Sequence, residues 1–469
     1  MKFEPGSFRD RSSRVANCGD QVLRLMNAES LSVWRRVSQE PFFREMTAAG
    51  QIVGTEELSA SECQERQLPA SFAGLLRHEP IPFVSYPYEW SFGMLREAAL
   101  LHLRIMTKAL GAGLVLKDAS PYNVQFRGTQ PVFIDIGSFT EQVPGEPWSA
   151  YRQFCELMLF PLLLQAYRQV HFQPVLRAQL EGISAQQFLQ WMRWRDMLRS
   201  GVFTHGWLQS LLEQRSQGFS TSTVRELRVS GFQTSFIEQM LKKLTALVER
   251  LEWSPPRTQW TEYNDALPHV ADDRRIKMEF VRQVCQQKPR RLVWDIGCND
   301  GCYSRIAGES ATTVVGMDQD HGCIDRLYRQ SRTDGAPVLP LCVDLANQSP
   351  GQGWRGRERR RLEERGRPDL VLCLGLIHHL VLSANIPLPE VMDWLSGLQA
   401  ELVLEFPSKR DAMVQSLLRN KRDQYDDYSL DRLEVELCRN FEIRRRETLP
   451  SGERTLFFAV PKPSLACGR

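Results

Sequence analysis

Leu292-Val293-Trp294-Asp295-Ile296-Gly297-Cys298-Asn299-Asp300-Gly301 is the stretch that decides the fold of the C-terminal half. An apolar run ends in Asp-x-Gly-Cys-x-x-Gly, and Cys302-Tyr303-Ser304-Arg305-Ile306-Ala307 reads as the start of a helix. A strand, a glycine turn and a helix in that order form a nucleotide-type site, because glycines let the backbone turn tightly and approach a ligand closely.

Outward from this stretch, apolar runs alternate with helical patterns. Residues 274–287 read as a helix. Residues 292–295, 313–318, 338–344, 369–374 and 401–406 read as strands. Such alternation predicts a parallel sheet with helices on both faces. The end differs: residues 441–449 and 455–460 flank Pro450-Ser451-Gly452-Glu453, which predicts a hairpin and an antiparallel last strand.

The form Asp-x-Gly-x-x-x-Gly resembles motif I of the class I S-adenosylmethionine (SAM) methyltransferases. The resemblance implies an α/β, Rossmann-like, seven-stranded and mostly parallel sheet with an antiparallel last strand. Ligands of open α/β sheets bind at the carboxyl ends of strands. The resemblance places SAM against Gly297, Cys298, Asn299 and Gly301, with Asp295 organising the site around the methionine end. It gives Asp318 the ribose diol, for which a carboxylate can accept two hydrogen bonds. Asp320 is a second candidate, and Asp344 falls where the family places a group near the adenine amine. The blander account of each Asp is a helix N-cap or turn residue. Three acids at successive strand ends, in register with motif I, argue against coincidence.

SAM carries an already activated methyl group. The enzyme then has to position the acceptor and, for a hydroxyl or acidic carbon, remove a proton. After the fourth strand comes Leu374-Gly375-Leu376-Ile377-His378-His379-Leu380. His378 or His379 is a candidate general base, since His titrates near neutrality; the alternative is a helix-start residue that shapes the pocket. Glu405, opening Glu405-Phe406-Pro407-Ser408-Lys409, is a third candidate at the acceptor pocket. The cluster Asp423-Gln424-Tyr425-Asp426-Asp427-Tyr428 reads as acceptor-contacting or as a solvated loop. No Asn/Asp-Pro-Pro-Tyr follows the fourth strand, which counsels against methylation of nucleobase amines.

The chain has 469 residues, too many for one core, so two or three domains are expected. Hydrophobic content of 42%, charged content of 25% and a net charge of +3 are ordinary for a globular protein and do not argue for nucleic acid or membrane. No apolar run reaches membrane-spanning length; residues 157–164 read as a buried helix. The first residues show no secretory signal, and eleven scattered cysteines fit reduced thiols, so a cytoplasmic protein is expected. Cys298-x-x-x-Cys302 reads as turn and helix packing, since a lone pair is a weak metal signal. Residues 355–367 carry seven Arg and three Glu. They read as a solvated helix with pairs such as Arg359–Glu363 and Arg360–Glu364, because no aromatics interleave to stack bases.

Pro255 and Pro256 follow a helical run over 237–251 and mark a boundary near 254. The expected domains are a small front lobe over 1–80, a mainly helical lobe over 81–254 and the methyltransferase domain over 255–469. In the N-terminal half, Leu116-Lys117-Asp118-Ala119-Ser120-Pro121-Tyr122-Asn123 precedes Pro131-Val132-Phe133-Ile134-Asp135-Ile136-Gly137. This resembles the catalytic loop and the metal-binding Asp-Phe-Gly of kinases. The resemblance implies a kinase-like α+β domain in which Asp118 orients an acceptor hydroxyl, while Asn123 and Asp135 hold magnesium and ATP is the ligand. Residues 81–88 read as a strand and hinge, and 92–110 as a long helix.

The departures are plain. His-Arg before the catalytic Asp is Leu116-Lys117, no Gly-x-Gly-x-x-Gly precedes it, and Arg24 is the one basic residue on a plausible third strand. Residues 7–10 and 14–15 flank Arg11-Ser12-Ser13, which looks like a hairpin. Active kinase, nucleotide-binding pseudokinase and unrelated loop all stand open.

Taken together, these motifs resemble a family of bacterial methyltransferase-like proteins related to a nodulation protein of rhizobia. The resemblance continues through Tyr86-Pro87-Tyr88-Glu89-Trp90-Ser91-Phe92 and Ser451-Gly452-Glu453-Arg454-Thr455-Leu456. It implies SAM-dependent transfer to an unnamed acceptor, with small molecule, glycan or protein favoured over nucleic acid, and leaves the oligomeric state open. The competing reading is a phosphotransferase or nucleotide-sensing scaffold with a SAM-binding module.

Overall fold

The computed structural model describes residues 2–207, 234–256, 268–419, 421–422 and 424–463. The chain divides into two compact units, Met1–Ser254 with Gly351–Arg359, and Pro255–Pro350 with Arg360–Arg469.

The first unit opens with five short strands: β1 (Lys2–Phe3), β2 (Ser13–Cys18), β3 (Gln21–Met26), β4 (Thr55–Glu57) and β5 (Gly74–His78). They lie in the order β1-β2-β3-β5-β4 with every neighbour antiparallel. Leu23 and Leu25 of β3 pack with Ala16, Leu58 and Leu75 in one cluster. The two-residue period of a strand then turns Arg24, which lies between them, to the opposite face. A long helix, Phe92–Gly111, follows; its Ser91 cap accepts from the Met94 amide.

Two antiparallel pairs come next: β6 (Leu114–Leu116) with β9 (Phe139–Glu141), and β7 (Val124–Arg127) with β8 (Gln130–Phe133). The nesting of these pairs sets the connections 117–123 and 134–138 side by side. The Lys117 amide donates to the Ser138 carbonyl, and the Ile134 amide to that of Asn123, each at 2.8 Å.

The second unit is an α/β domain built on one mixed sheet: β10 (Arg290–Ile296), β11 (Ala311–Asp318), β12 (Val338–Cys342), β13 (Leu370–Cys373), β14 (Glu401–Pro407), β15 (Phe441–Thr448) and β16 (Arg454–Pro461). The order is β12-β11-β10-β13-β14-β16-β15. The first five run parallel; β16 is antiparallel to both of its neighbours. Leu292, Val293, Trp294 and Ile296 are all buried, as expected of a parallel strand covered on both faces. The chain moves outward from β10 through β11 to β12, then returns to the other side of β10 as β13. The order therefore reverses between β10 and β13, and their carboxyl ends flank the crevice where such sheets bind ligands.

Several expectations are corrected. Residues 351–359 belong to the first unit, not the second. The segment 355–367 forms two 3-10 turns, Trp354–Gly356 and Leu362–Glu364, instead of a helix. Gly353, Arg355 and Gly356 all take left-handed backbone angles, which a right-handed helix forbids. Arg361 pairs with Glu364, and Glu358 is buried against Arg9. The front hairpin turns at Gly19-Asp20, between paired Cys18 and Gln21, because Pro5–Arg9 forms a 3-10 turn. Residues 81–88 are no strand: Pro82 and Pro87 lack the amide a ladder needs, and the strand lies earlier, at Gly74–His78. Among the described residues, no helix is long and apolar enough to cross a membrane.

Candidate active site

The loop after β10 is held by its own backbone. Gly297, Asn299 and Gly301 have φ of 76°, 49° and 75°. A Cβ on Gly301 would stand 2.3 Å from Leu327 Cδ1, so only glycine lets the loop close on the helix His321–Asp334. The Gly297 and Cys298 amides both donate to the Met317 carbonyl, at 2.8 and 3.0 Å, folding the loop onto β11. The Cys298 side chain is buried in the apolar core, leaving only its backbone for a ligand. Among the described residues no group of three or more His, Cys, Asp or Glu could hold a metal ion.

Asp318 ends β11. Its Oδ2 accepts from the Asn299 amide and its Oδ1 from the Asp320 amide, both at 2.9 Å. Burial pushes its pKa up, and these amides pull it back. A carboxylate has two acceptor directions per oxygen, and the Gln319 amide also acts on this one, so at least one direction stays available. Asp295 is 1% exposed and accepts from Ser304 Oγ at 2.6 Å. Burial pushes its carboxyl up to about 7. Asp320 caps the next helix through the Cys323 amide at 2.8 Å, as the blander account holds. Asp344 is exposed, and its Oδ1 accepts from the Ala346 amide at 2.9 Å.

Across the crevice, Gly375 turns the chain after β13 with φ 64° and leads to His378 and His379, whose rings lie 4.1 Å apart. His378 is 2% exposed and His379 half-buried. Burial holds both imidazoles below their ordinary pKa, with the charge of Arg454 adding to it, so both are neutral at pH 7. Glu405 is fully buried between two cations: Lys277 Nζ on Oε2 and Arg454 Nη1 on Oε1, the latter at 3.2 Å. Burial alone would raise its carboxyl, but the two charges and their hydrogen bonds win and hold it at about 2. Arg454 also grips Asp411, at 2.7 and 3.2 Å. Lys277 lies 5.0 Å from the Tyr303 ring centre. Tyr425 and Tyr428 are buried and donate to the carbonyls of Leu382 and Pro407, while Gln424, Asp426 and Asp427 are exposed; Asp423 lies outside the described residues.

Sequence reading missed Lys277, Ser304, Tyr303 and Arg454. Ser304 and Tyr303 stood in the quoted helix start. Arg454 had a signal: the hairpin register sets it opposite Pro407, two residues past Glu405. Lys277 had none, because its helix is joined to the site only by the fold.

In the first unit, Asp118, Asn123 and Asp135 come together. Burial and then the charge of Asp135 push the Asp118 carboxyl up, and the hydrogen bond from the Ser120 amide at 2.9 Å opposes this. Arg24 Nη1 stands 2.8 Å from Asp135 Oδ1.

No protein-family model matches the chain. The nodulation protein NoeA of Rhizobium meliloti (strain 1021) is 32% identical over 455 residues, 96% of this chain and 94% of NoeA. Among solved structures, the N-methyltransferase NodS from Bradyrhizobium japonicum WM9, in complex with S-adenosyl-l-homocysteine, is 11% identical with a TM-score of 0.32, over 44% of this chain and 94% of NodS. Magnesium protoporphyrin IX methyltransferase (ChlM) from Synechocystis PCC 6803, with bound SAH, is 18% identical with a TM-score of 0.30, over 45% of this chain and 90% of its own. Both structural likenesses are slight. The chain belongs to the same family as NoeA.

Proposed function

From that family membership as premise, we propose that this chain is a SAM-dependent methyltransferase. Its C-terminal unit binds SAM and transfers the methyl group to an acceptor still to be identified, in the cytoplasm. The observation that carries the reading is the crevice itself. At the switch point of the sheet, a glycine loop and two acids, Asp295 and Asp318, meet, and Asp318 is anchored by backbone amides with acceptor capacity to spare.

These residues suit the cofactor. Asp318 would take the ribose hydroxyls. Asp295, oriented by Ser304, would face the methionine end, and its ionisation is favoured beside a positive charge. Gly297, Cys298, Asn299 and Gly301 would offer backbone, and Asp344 would serve the adenine amine. When bound, SAM supplies a methyl group on a sulfonium, ready for attack. The protein must then align the acceptor and receive its proton. Half-buried His379 is neutral and suited to that second task; His378 would shape the pocket floor beneath it. Glu405, ionised and clasped by two cations, would fix Lys277 and Arg454 along the acceptor side instead of taking a proton.

The N-terminal unit reads as a kinase-like domain that binds the acceptor or a nucleotide. A phosphotransferase or nucleotide-sensing scaffold is the second reading, favoured by the meeting of Asp118, Asn123 and Asp135. Thermal shift with ATP and magnesium separates the two, since a shift abolished by Asp135→Ala would favour the second.

Calorimetry tests the first reading. SAM should bind the full chain, and Asp318→Ala should weaken it by about a hundredfold, the loss of two hydrogen bonds to a charged acceptor. Unchanged affinity in Asp318→Ala and Asp295→Ala would sink the site assignment.

A further inference from the structure

A magnesium ion of the kind the kinase resemblance implies would need open oxygens on Asp135 and Asn123. Asp135 instead faces a fixed cation. The Arg24 side chain, 9% exposed, holds its Nη1 2.8 Å from Asp135 Oδ1. The guanidinium is itself well seated. Nη1 also reaches Ser13 Oγ at 3.2 Å, and Nε donates to His78 Nε2 at 3.3 Å. Ser13 in turn donates to Asp10 at 2.7 Å.

His78 can accept from a cation only if its imidazole is neutral. Burial, then the charge of Arg24, hold it at about 3. Its Nδ1 lies 2.8 Å from Thr55 Oγ1, whose own proton goes to the Val53 carbonyl. Nδ1 is thus the protonated nitrogen and Nε2 the acceptor. Gly137 completes the seat: a Cβ there would come within 3.1 Å of both Arg24 Nη1 and Ser13 Oγ. On the other side, Asp118 accepts from the Ser120 amide at 2.9 Å, and the Asn123 Nδ2 is buried with no hydrogen-bond partner among the described residues.

We propose that Arg24 is the resident cation of the N-terminal unit, occupying the charge position that a divalent metal would take beside Asp135. The unit therefore binds no magnesium there, and any ligand it takes is held without one. A metal and this guanidinium exclude each other by like-charge repulsion at close range. Three elements position Arg24 for the role: β2 through Ser13, β5 through His78 and the 134–138 connection through Asp135. The inference stands apart from the methyltransferase reading, which concerns the other unit.

Manganese, added alone to the full chain and followed by the loss of its free paramagnetic signal, tests this. The wild type should show no saturable binding at millimolar metal. Arg24→Ala, and Arg24→Gln as a second variant closer in size, should gain one site and bind at least about tenfold more tightly than wild type. Adding Asp135→Asn to either variant should remove that site. One manganese on the wild type that Asp135→Asn abolishes would overturn the proposal. So would a variant, folded by circular dichroism, that gains nothing. If neither Arg24 variant folds, the comparison of wild type with Asp135→Asn still decides.

Discussion

Replacing Glu405 with Gln keeps the side chain's shape and removes one charge from between two cations. Glu405 is 0% exposed, and Lys277 and Arg454 are 11% and 18% exposed. Breaking a buried pair costs about 3–5 kcal/mol because a charge is left uncompensated. Arg454 keeps its two bonds to Asp411 and Lys277 keeps the Tyr303 ring, so the lower end applies, about 3 kcal/mol. The proton affinity of Glu405 gives a similar figure. A carboxyl held at about 2 against an ordinary 4.5 corresponds to about 3 kcal/mol. In a unit of this size that lowers the unfolding midpoint by about 6–12 °C. The assay is thermal unfolding of the full chain, following the transition that SAM should raise if the proposed site binds it. A depressed carboxyl stabilises the fold above its unfolded pKa. The advantage of Glu over Gln should therefore be complete above pH 4.5 and vanish as pH falls toward 2. A Gln variant that melts within about 2 °C of wild type but transfers no methyl group would refute the reasoning and make Glu405 a proton acceptor.

Three further outcomes are expected. Asp295 has a raised folded pKa, so ionising it costs stability as pH rises from 3.8 to about 7, and a bound sulfonium offsets that cost. SAM affinity measured by calorimetry should therefore rise between pH 6 and pH 8, and Asp295→Asn should flatten the profile. Gly301→Ala would force a Cβ to 2.3 Å from Leu327 at φ 75°, and should cost about 2–4 kcal/mol in urea unfolding. His379→Ala should leave SAM binding within about twofold but slow transfer by about a hundredfold or more, with loss of the acid limb of the pH–rate profile. An unaltered pH–rate profile would assign the proton to another group.

The second unit was largely legible because its strands are continuous apolar runs closed by glycine or aspartate. Residues 292–295 fall inside β10 and 313–318 inside β11, since burial on both faces leaves no doubt about period. The strand expected over 338–344 stops at Cys342, because the Asp344 side chain turns the chain through the Ala346 amide. The first unit was harder to read. Its strands are short and its pairing is nonlocal, so the turn at Gly19-Asp20 lost out to Arg11-Ser12-Ser13. Arg24 was visible as a lone basic residue on a strand, but its partner Asp135 lies over a hundred residues away. The charged 355–367 segment misled because composition favours a helix while Gly353 and Gly356 break it. Lys277 and Glu405 meet only through tertiary packing, and no local pattern announces such a pair.

The most direct test of the central claim is a crystal structure of the full chain with S-adenosyl-l-homocysteine. Both ribose hydroxyls should lie on the Asp318 carboxylate, with the amino-acid end beside Asp295 and the Gly297–Gly301 loop. A nucleoside bound elsewhere, with Asp318 touching only the Asn299 and Asp320 amides, would contradict that claim.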